Sequence, residues 1–202
     1  NYREHAREFD PKGDIPQYPI FFTKAANCVI GPEDAIDSHP TVTKELDYEA
    51  ELAVVIGKKG KFIPKEQAMD YVFGYMIMND VTARDLQRRH GQWFRGKSLD
   101  TSAPMGPYLV HKSSVPDPGN LNIITRVNGE IRQQANTGQM IFDIPTIIAT
   151  LSDGLTLEPG DIIATGTPAG VGAAFDPPRF LRSGDSIEME ISYLGSLKNK
   201  VI

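Results

Sequence analysis

The sequence predicts a mainly β protein of the α+β class, because strand-like segments outnumber helical ones. Residues 71–78 form an apolar run between polar flanks, as in a strand buried on both faces. Residues 121–127 and 130–135 flank Asn128-Gly129, a pair that favours the positive φ angles of a two-residue hairpin. With 202 residues, the chain is expected to form a single domain, residues 1–202.

The composition favours a globular protein with small-molecule ligands. Hydrophobic residues make up 40% and charged residues 23% of the chain, and the formal net charge is -5. Lys and Arg are dispersed, so the basic surface that nucleic acid requires is not expected. No apolar run is long enough to cross a bilayer. The single cysteine, Cys28, has no partner for a disulfide or a thiolate zinc site, which favours a reducing, cytoplasmic setting.

The first segment, residues 2–9, predicts a helical turn. His5 and Glu8 are spaced i, i+3, so their side chains can meet. A carboxylate beside an imidazole orients the ring and supports its charged form, which is the arrangement that general-base chemistry needs. The alternative is a polar helix that frays at the end of the chain.

Residues 10–19 predict a loop, since they contain three prolines and a glycine that exclude long regular structure. Together with the preceding turn they form a candidate lid, residues 1–19. Residues 20–23 predict a short strand. Because the first residue is Asn1 and not Met, we expect that part of the N-terminus of the protein precedes this sequence.

Residues 47–57 predict the strand around which the chain is organised. Its start alternates, so Asp47, Glu49 and Glu51 share one face, and it then becomes apolar. Ionised carboxylates near a core need pairing, protonation or a metal. Asp80 follows the buried run 71–78, where a polar side chain can reach into a site. The alternative is a half-exposed strand with solvated acids.

Glu49, Glu51 and Asp80 together offer three oxygen ligands and no sulfur. Such a set favours hard dications such as Mg²⁺, Mn²⁺ or Ca²⁺ over zinc, and it leaves about three octahedral positions free. A 2-oxo acid can fill two of them through its carboxylate and keto oxygens, so that the cation stabilises an enolate. The competing hypothesis is a binding module in which a cation only cross-links strands.

Helices are predicted at 64–71, at 82–89 with Thr82 as N-cap, and at 144–151 with Asp143 as N-cap. Residues 92–98 predict a loop that presents Lys97, either to a site or to solvent.

The most glycine-dense loop, residues 165–172, follows a turn and strand at 157–164. Its backbone N–H groups and Thr167 can contact an anion or a carbonyl, but a tight turn explains the glycines equally well. Residues 186–191 predict a half-exposed strand. There Glu188 and Glu190 share a face as Glu49 and Glu51 do, so the spacing alone is not diagnostic.

Several segments in the same order resemble the fumarylacetoacetate hydrolase family. They are the opening residues 1–8, the acidic residues 47–52, residues 79–87, residues 96–101 and residues 160–172. The resemblance runs nearly from end to end. It implies a mainly β fold, a compact roll of mixed sheets with a few short helices, and usually a homodimer.

The resemblance also implies roles for residues at matching positions. Glu49, Glu51 and Asp80 are expected to hold Mg²⁺ or Mn²⁺. His5 and Glu8 are expected to form an acid–base dyad on the lid, and Lys97 to stabilise developing negative charge or position water. The remaining expected roles concern substrate oxygens, which would be held by Arg84, Gln87 and Thr167.

Members of this family that resemble the sequence catalyse several related reactions on 2-oxo acids. Cleavage of a C–C bond in a small acylpyruvate or β-diketo acid is the expected reaction, with His5 activating the water that attacks the 4-keto carbon. Decarboxylation of oxaloacetate is an alternative at the same site. Isomerisation or decarboxylation of 2-hydroxyhepta-2,4-diene-1,7-dioate, a product of aromatic breakdown, is another.

Overall fold

The computed structural model describes residues 1–9 and 15–202. The α-helices in this part of the chain are short: α1 (Arg3–Phe9), α2 (Arg84–Arg89), α3 (Phe94–Lys97) and α4 (Ile144–Ser152). Single turns or short runs of 3₁₀ helix occur at Ala26–Cys28, Lys65–Tyr71, Lys112–Ser114, Thr137–Gln139 and Gly172–Ala174. None of the helices in the described ranges has the length and apolar character needed to span a membrane.

Most of the regular structure is β. The strands are β1 (Val29–Ile30), β2 (Ala35–Ile36), β3 (Leu46–Asp47), β4 (Ala50–Ile56), β5 (Val72–Asn79), β6 (Thr82–Ala83), β7 (Ala103–His111), β8 (Asn122–Val127), β9 (Glu130–Asn136), β10 (Ile162–Ala164), β11 (Ser186–Ile191) and β12 (Gly195–Val201). They form two five-stranded sheets, ordered β1-β7-β5-β4-β10 and β2-β12-β11-β8-β9, and the small sheet β3-β6.

Both five-stranded sheets are mixed. The edge pairs β1–β7 and β2–β12 are parallel, while the remaining pairs are antiparallel. The prediction of a mainly β fold with mixed sheets and a few short helices is therefore confirmed.

One large apolar cluster joins the two five-stranded sheets. β4 contributes Leu52 and Val54, and β11 contributes Met189, all of them buried. Burial of each such side chain stabilises the fold by roughly 1.5–3 kcal/mol. Because side chains alternate along a strand, Glu51 of β4 points to the opposite side of its sheet, away from this cluster.

Two local predictions are confirmed in detail. The hairpin between β8 and β9 turns at Asn128 and Gly129, whose φ angles are 53° and 80°. α4 begins after Asp143, whose carboxylate accepts a hydrogen bond from the N–H of Thr146 at 2.8 Å. In both cases a short sequence signal favours the backbone conformation that the structure shows.

Two predicted strands differ from the structure. The segment 47–57 is broken after Asp47, because β3 pairs with β6 whereas β4, beginning at Ala50, pairs with β5. Residues 20–23 form no strand. They have no sheet partner, and the side chains of Phe21 and Phe22 are 42% and 43% exposed.

The helix predictions near the site also need correction. Thr82 is not an N-cap: it lies in β6, its hydroxyl donates to the carbonyl of Asp80, and α2 begins at Arg84. The predicted loop 92–98 contains α3. The predicted helix 64–71 is a 3₁₀ helix.

The sequence contains no clear signal for β7 or β12. Pro104 and Pro107 lie within β7, and prolines normally argue against an internal strand. In β12, Lys198 and Lys200 alternate with buried residues, which leaves only a weak apolar pattern. Both strands are stabilised by their partners in the sheets and not by their own composition.

Candidate active site

Glu49, Glu51 and Asp80 meet where β4 begins and β5 ends. The antiparallel ladder pairs Ala50 with Asn79, and the N–H of Asp80 donates to the carbonyl of Glu49 at 2.9 Å. One carboxylate oxygen from each acid lies within 4.8 Å of the others. The three residues are only 3%, 4% and 1% exposed, so the alternative of solvated acids on a half-exposed strand is wrong.

Lys97 lies directly against these acids. Its Nζ is 2.7 Å from Glu49 Oε2 and 2.6 Å from Asp80 Oδ2, and the residue is 2% exposed, so the alternative of a surface lysine is also wrong. Burial alone would lower the pKa of Lys97, but the carboxylates of Asp80 and Glu49 raise it above its usual value. α3 carries Lys97 into the site by packing closely on α2, where a Cβ at Gly96 would lie 2.6 Å from the nitrogen of Gln87.

Arg84 forms ion pairs with two carboxylates, those of Asp47 and Glu49. Its Nε donates to Asp47 Oδ2 at 2.9 Å, and its Nη2 lies 2.7 Å from Glu49 Oε1. Asp47 also accepts hydrogen bonds from the N–H groups of Gly172 and Ala173 at 2.7 and 3.0 Å. Asp47 therefore holds the guanidinium of Arg84 in place. It is not a member of the acid triad, although it precedes Glu49 by two residues.

Glu49 and Glu51 differ in their electrostatic surroundings. Burial raises the pKa of Glu49, but Lys97 and Arg84 outweigh this effect and hold the pKa below its usual value. For Glu51, burial and the nearby charges of Asp80 and Glu49 raise the pKa to about 8. Its carboxyl accepts a hydrogen bond from the N–H of Gly166 at 2.6 Å.

The donor set fits a hard divalent cation. Three carboxylates converge, and no lysine or arginine within residues 1–9 and 15–202 forms an ion pair with Glu51. A dication between the three oxygens would neutralise this excess negative charge and keep Glu51 ionised. The acids can therefore hold Mg²⁺ or Mn²⁺, and their role as ligands stays a prediction.

Lys24 is a further residue of the site, and its sequence context predicts no role for it. Its Nζ lies 2.8 Å from Asp80 Oδ1, donates to the carbonyl of Val81 at 3.1 Å and contacts the carbonyl of Lys97. In the sequence it is a lone lysine after an apolar segment, which is too common a pattern to identify it. Lys24 thus contacts the carboxylate oxygen of Asp80 that Lys97 does not contact.

His5 and Glu8 form the predicted pair. His5 Nδ1 lies 2.7 Å from Glu8 Oε2, and the N–H of Gly170 donates to Glu8 Oε1 at 2.5 Å. The carboxylate accepts from Nδ1, so Nε2 is the ring nitrogen that can take or give a proton. α1 is not frayed, because Tyr2 at its start is 2% exposed and pairs with Met140. Residues 10–14 of the candidate lid lie outside the described residues, and the lid stays a prediction.

The glycine-rich loop 165–172 holds several parts of the site together. Its N–H groups at Gly166, Gly170 and Gly172 donate to Glu51, Glu8 and Asp47, so the anions that they contact belong to the protein. In the same loop, Thr167 Oγ1 accepts a hydrogen bond from Gln133 Nε2 at 2.8 Å. Gln133 carries no recognisable sequence signal, and only the packing of β9 against this loop brings it here.

A cavity of about 510 Å³ opens above the acids. Its lining includes most of the predicted site residues: His5, Glu49, Glu51, Arg84, Gln87, Lys97 and Thr167. Glu8 and Asp80 do not line the cavity themselves. Each contacts a residue that does: Glu8 pairs with His5, and Asp80 accepts a hydrogen bond from Lys97. Apolar side chains form much of the wall, among them Ile20, Phe21, Phe22, Trp93, Ile141, Phe142 and Ile147.

Comparison with known proteins places this arrangement in a recognised group. The family model described as fumarylacetoacetate (FAA) hydrolase C-terminal matches residues 1–202. Among curated proteins, the chain is 60% identical over 201 residues to "Oxaloacetate tautomerase YisK" of Bacillus subtilis, covering 100% of the chain and 67% of that protein. It is 50% identical over 197 residues to an uncharacterised Staphylococcus epidermidis protein, covering 98% of the chain and 64% of that protein. The chain thus spans about two thirds of the length of these relatives.

Solved structures show the same fold. A fumarylacetoacetate hydrolase from Exiguobacterium antarcticum is 48% identical with a TM-score of 0.91, over 100% of the chain and 72% of that structure. A 2-hydroxyhepta-2,4-diene-1,7-dioate isomerase from Mycobacterium marinum is 41% identical with a TM-score of 0.85, over 93% of the chain and 70% of that structure. The proteins that are similar to this chain are therefore named for different reactions: a tautomerase, a hydrolase and an isomerase.

Proposed function

Since the chain belongs to the fumarylacetoacetate hydrolase family, we propose that it is a divalent-metal-dependent enzyme that converts a small 2-oxo acid through its enol or enolate form. One observation carries the proposal: three buried carboxylates converge at the base of a cavity that also contains His5 and Lys97. A bound dication would supply Lewis-acid polarisation of the 2-oxo group at this place.

Proton transfer, charge stabilisation and substrate binding are assigned to different side chains of the cavity. His5 Nε2 moves a proton between the substrate and the ring, and Glu8 stabilises the imidazolium through Nδ1. Lys97 places a positive charge beside the acids, where negative charge develops on the substrate. Arg84, Gln87 and Thr167 hold the substrate carboxylate and keto oxygens, and the apolar wall limits the access of bulk water.

Keto–enol tautomerisation of oxaloacetate or a similar 2-oxo acid is the first candidate reaction. The support for it is the 60% identity to the Bacillus subtilis relative named oxaloacetate tautomerase. The reaction requires only that a proton leave one atom of the substrate and return to another. A single residue such as His5 can perform both transfers.

Hydrolysis of a C–C bond in a small acylpyruvate is the second candidate, and oxaloacetate decarboxylation or dienedioate isomerisation are variants at the same site. The cavity favours hydrolysis in one respect, because 510 Å³ leaves room beside a four-carbon acid for an acyl group and a water molecule. The similarity to a solved fumarylacetoacetate hydrolase supports the same candidate. In this reaction His5 would deprotonate the attacking water.

A panel of 2-oxo and 2,4-dioxo acids, assayed with Mg²⁺ and with Mn²⁺, tests the proposal. NMR of the products separates the candidates: tautomerisation leaves the atoms unchanged, decarboxylation releases CO₂, and hydrolysis gives two acids. We expect Glu51→Gln to lower the metal-dependent rate by roughly 100-fold or more, because the cation loses a charged ligand.

Glu188→Gln is the matched control, since Glu188 is also a strand glutamate but lies on β11 in the other sheet, where it pairs with Lys198 of β12. It should keep the wild-type rate. Wild-type activity in Glu51→Gln would exclude the proposed metal site. Stabilisation by the cation without turnover of any acid would instead favour the binding-module hypothesis.

A homodimer is part of the same proposal, because the family resemblance implies it. Sedimentation at a mass twice that of the chain would support the dimer, and the mass of one chain would contradict it.

A further inference from the structure

Gln133 is fully buried at the junction of β9, β4 and the loop 165–172. Its side chain makes four hydrogen bonds. Oε1 accepts from the N–H of Ala50 at 3.1 Å and from Thr125 Oγ1 at 2.9 Å. Nε2 donates to Thr167 Oγ1 and to the carbonyl of Pro168, both at 2.8 Å.

These partners determine the orientation of the amide group. The backbone N–H of Ala50 can only donate, so it must face the amide oxygen, and the carbonyl of Pro168 can only accept, so it must face the NH₂ group. The NH₂ group therefore also faces Thr167. As a consequence, Thr167 Oγ1 accepts from Gln133, and the hydrogen of the Thr167 hydroxyl has to point elsewhere.

Thr167 lines the cavity and is 2% exposed. Among the residues that the structure describes, none accepts a hydrogen bond from its hydroxyl. A buried O–H without an acceptor is unfavourable, so an acceptor atom of a ligand in the cavity would satisfy it.

We propose that Gln133 is a positioning residue that makes Thr167 an obligatory hydrogen-bond donor toward the ligand. Thr167 then selects a carboxylate or keto oxygen and disfavours a nitrogen that carries hydrogens, such as the ammonium group of a 2-amino acid. The inference rests on the proposed function only for the class of ligand. The polarity of the Gln133–Thr167 hydrogen bond follows from the geometry.

Side-chain amide NMR of the metal-free protein tests this polarity without any ligand. The Nε2 protons of Gln133 are assigned by their loss in Gln133→Met. We expect Thr167→Val to shift one of them and accelerate its exchange, because that proton loses its acceptor. Thr125→Val is the matched control: Thr125 contacts the oxygen of the same amide, so both Nε2 protons should keep their slow exchange. Unchanged Nε2 protons in Thr167→Val would overturn the assignment.

Oxalate binding to the Mn²⁺-loaded protein, measured by calorimetry, tests the consequence for the ligand. Gln133→Glu removes the donor that Thr167 accepts from. A glutamate proton would go to the carbonyl of Pro168, and a carboxylate would have none, so in both cases Thr167 turns its O–H toward residue 133. We expect oxalate affinity to fall roughly 10- to 100-fold, as for the loss of a hydrogen bond to a charged group. Thr125→Val should bind like the wild type.

The double variant separates positioning from general damage. If Gln133 acts through Thr167, adding Gln133→Glu to Thr167→Val should cause no further loss of oxalate affinity. An equal loss in both backgrounds would overturn the proposal.

Should Gln133→Glu fail to fold, Gln133→Met takes its place, with a smaller expected loss of oxalate affinity since the Thr167 hydroxyl can then rotate freely. Absence of oxalate binding in the wild type would refute the proposed function and the ligand preference, and the amide spectra would still decide the hydrogen-bond polarity.

Discussion

Arg84 illustrates how single residues organise the charges of this site. The guanidinium contacts Asp47 and Glu49 through different nitrogens, and both carboxylates are buried. A buried carboxylate without a partner is costly. The several N–H donors of the guanidinium allow Arg84 to bind both carboxylates at once. A lysine at the same place carries the same charge but only one donor centre.

At the scale of the residue, we therefore predict that Arg84→Lys is not conservative. It should lower the free energy of unfolding by about 2–4 kcal/mol, because either Asp47 loses its cation or Glu49 keeps only Lys97. Arg88→Lys is the matched control on the same helix: Arg88 pairs with Glu45 near the surface, its side chain is 63% exposed, and the change should stay within about 0.5 kcal/mol. Urea denaturation of the metal-free protein measures both. Equal losses in the two variants would contradict this account.

At the scale of the element, α4 shows a helix whose start is specified locally. Asp143 caps it, accepting from the N–H and the hydroxyl of Thr146, and forms a surface ion pair with Lys65 at 3.0 Å. Slight burial raises the pKa of Asp143, but these contacts lower it below its usual value of 3.8. Since the folded-state pKa is lowered, the stabilisation is complete above pH 3.8 and is lost as the pH falls through the folded-state pKa.

We predict that Asp143→Ala destabilises the protein by about 0.5–2 kcal/mol at neutral pH. Asp143→Asn keeps a capping oxygen, so it should cost only a few tenths of a kcal/mol, but it removes the titrating group. In acid, the difference between the wild type and Asp143→Asn should shrink, because the wild-type carboxylate becomes protonated. Urea denaturation over a pH series measures this. A stability difference that grows on acidification would show that the predicted direction of the pH dependence is wrong.

At the scale of the whole molecule, the site links segments that are far apart in the chain. It draws on α1, on β4 and β5, on α2 and α3, and on the loop 165–172. A cation bound there contacts only the folded protein, so its binding free energy adds to the stability of the whole fold.

We predict that Mn²⁺ raises the midpoint of thermal unfolding. At a concentration 100-fold above the dissociation constant the gain is about 2.7 kcal/mol. For a chain of this length that corresponds to roughly 5–10 °C. Chelation should reverse the rise, and Glu51→Gln should abolish most of it while Glu188→Gln retains it. Differential scanning calorimetry measures the midpoints, and an equal rise in Glu51→Gln would place the cation elsewhere.

Some features of this protein follow from the sequence alone. The Asn128-Gly129 turn and the cap at Asp143 are local, because neighbouring atoms determine the backbone there. The acids at 49, 51 and 80 were also predictable as a group. Alternation puts Glu49 and Glu51 on one face, and an apolar run of eight residues places Asp80 at the end of the next strand.

Only the tertiary structure decided which polar residues are buried beside them. Lys97 is predicted equally well as a surface residue, Lys24 and Gln133 carry no motif, and the strand 47–57 breaks where its partner changes from β6 to β5. Each of these outcomes depends on pairing between residues far apart in the sequence. Composition and periodicity describe a segment by itself, and they contain no information on which distant charge or amide will face it.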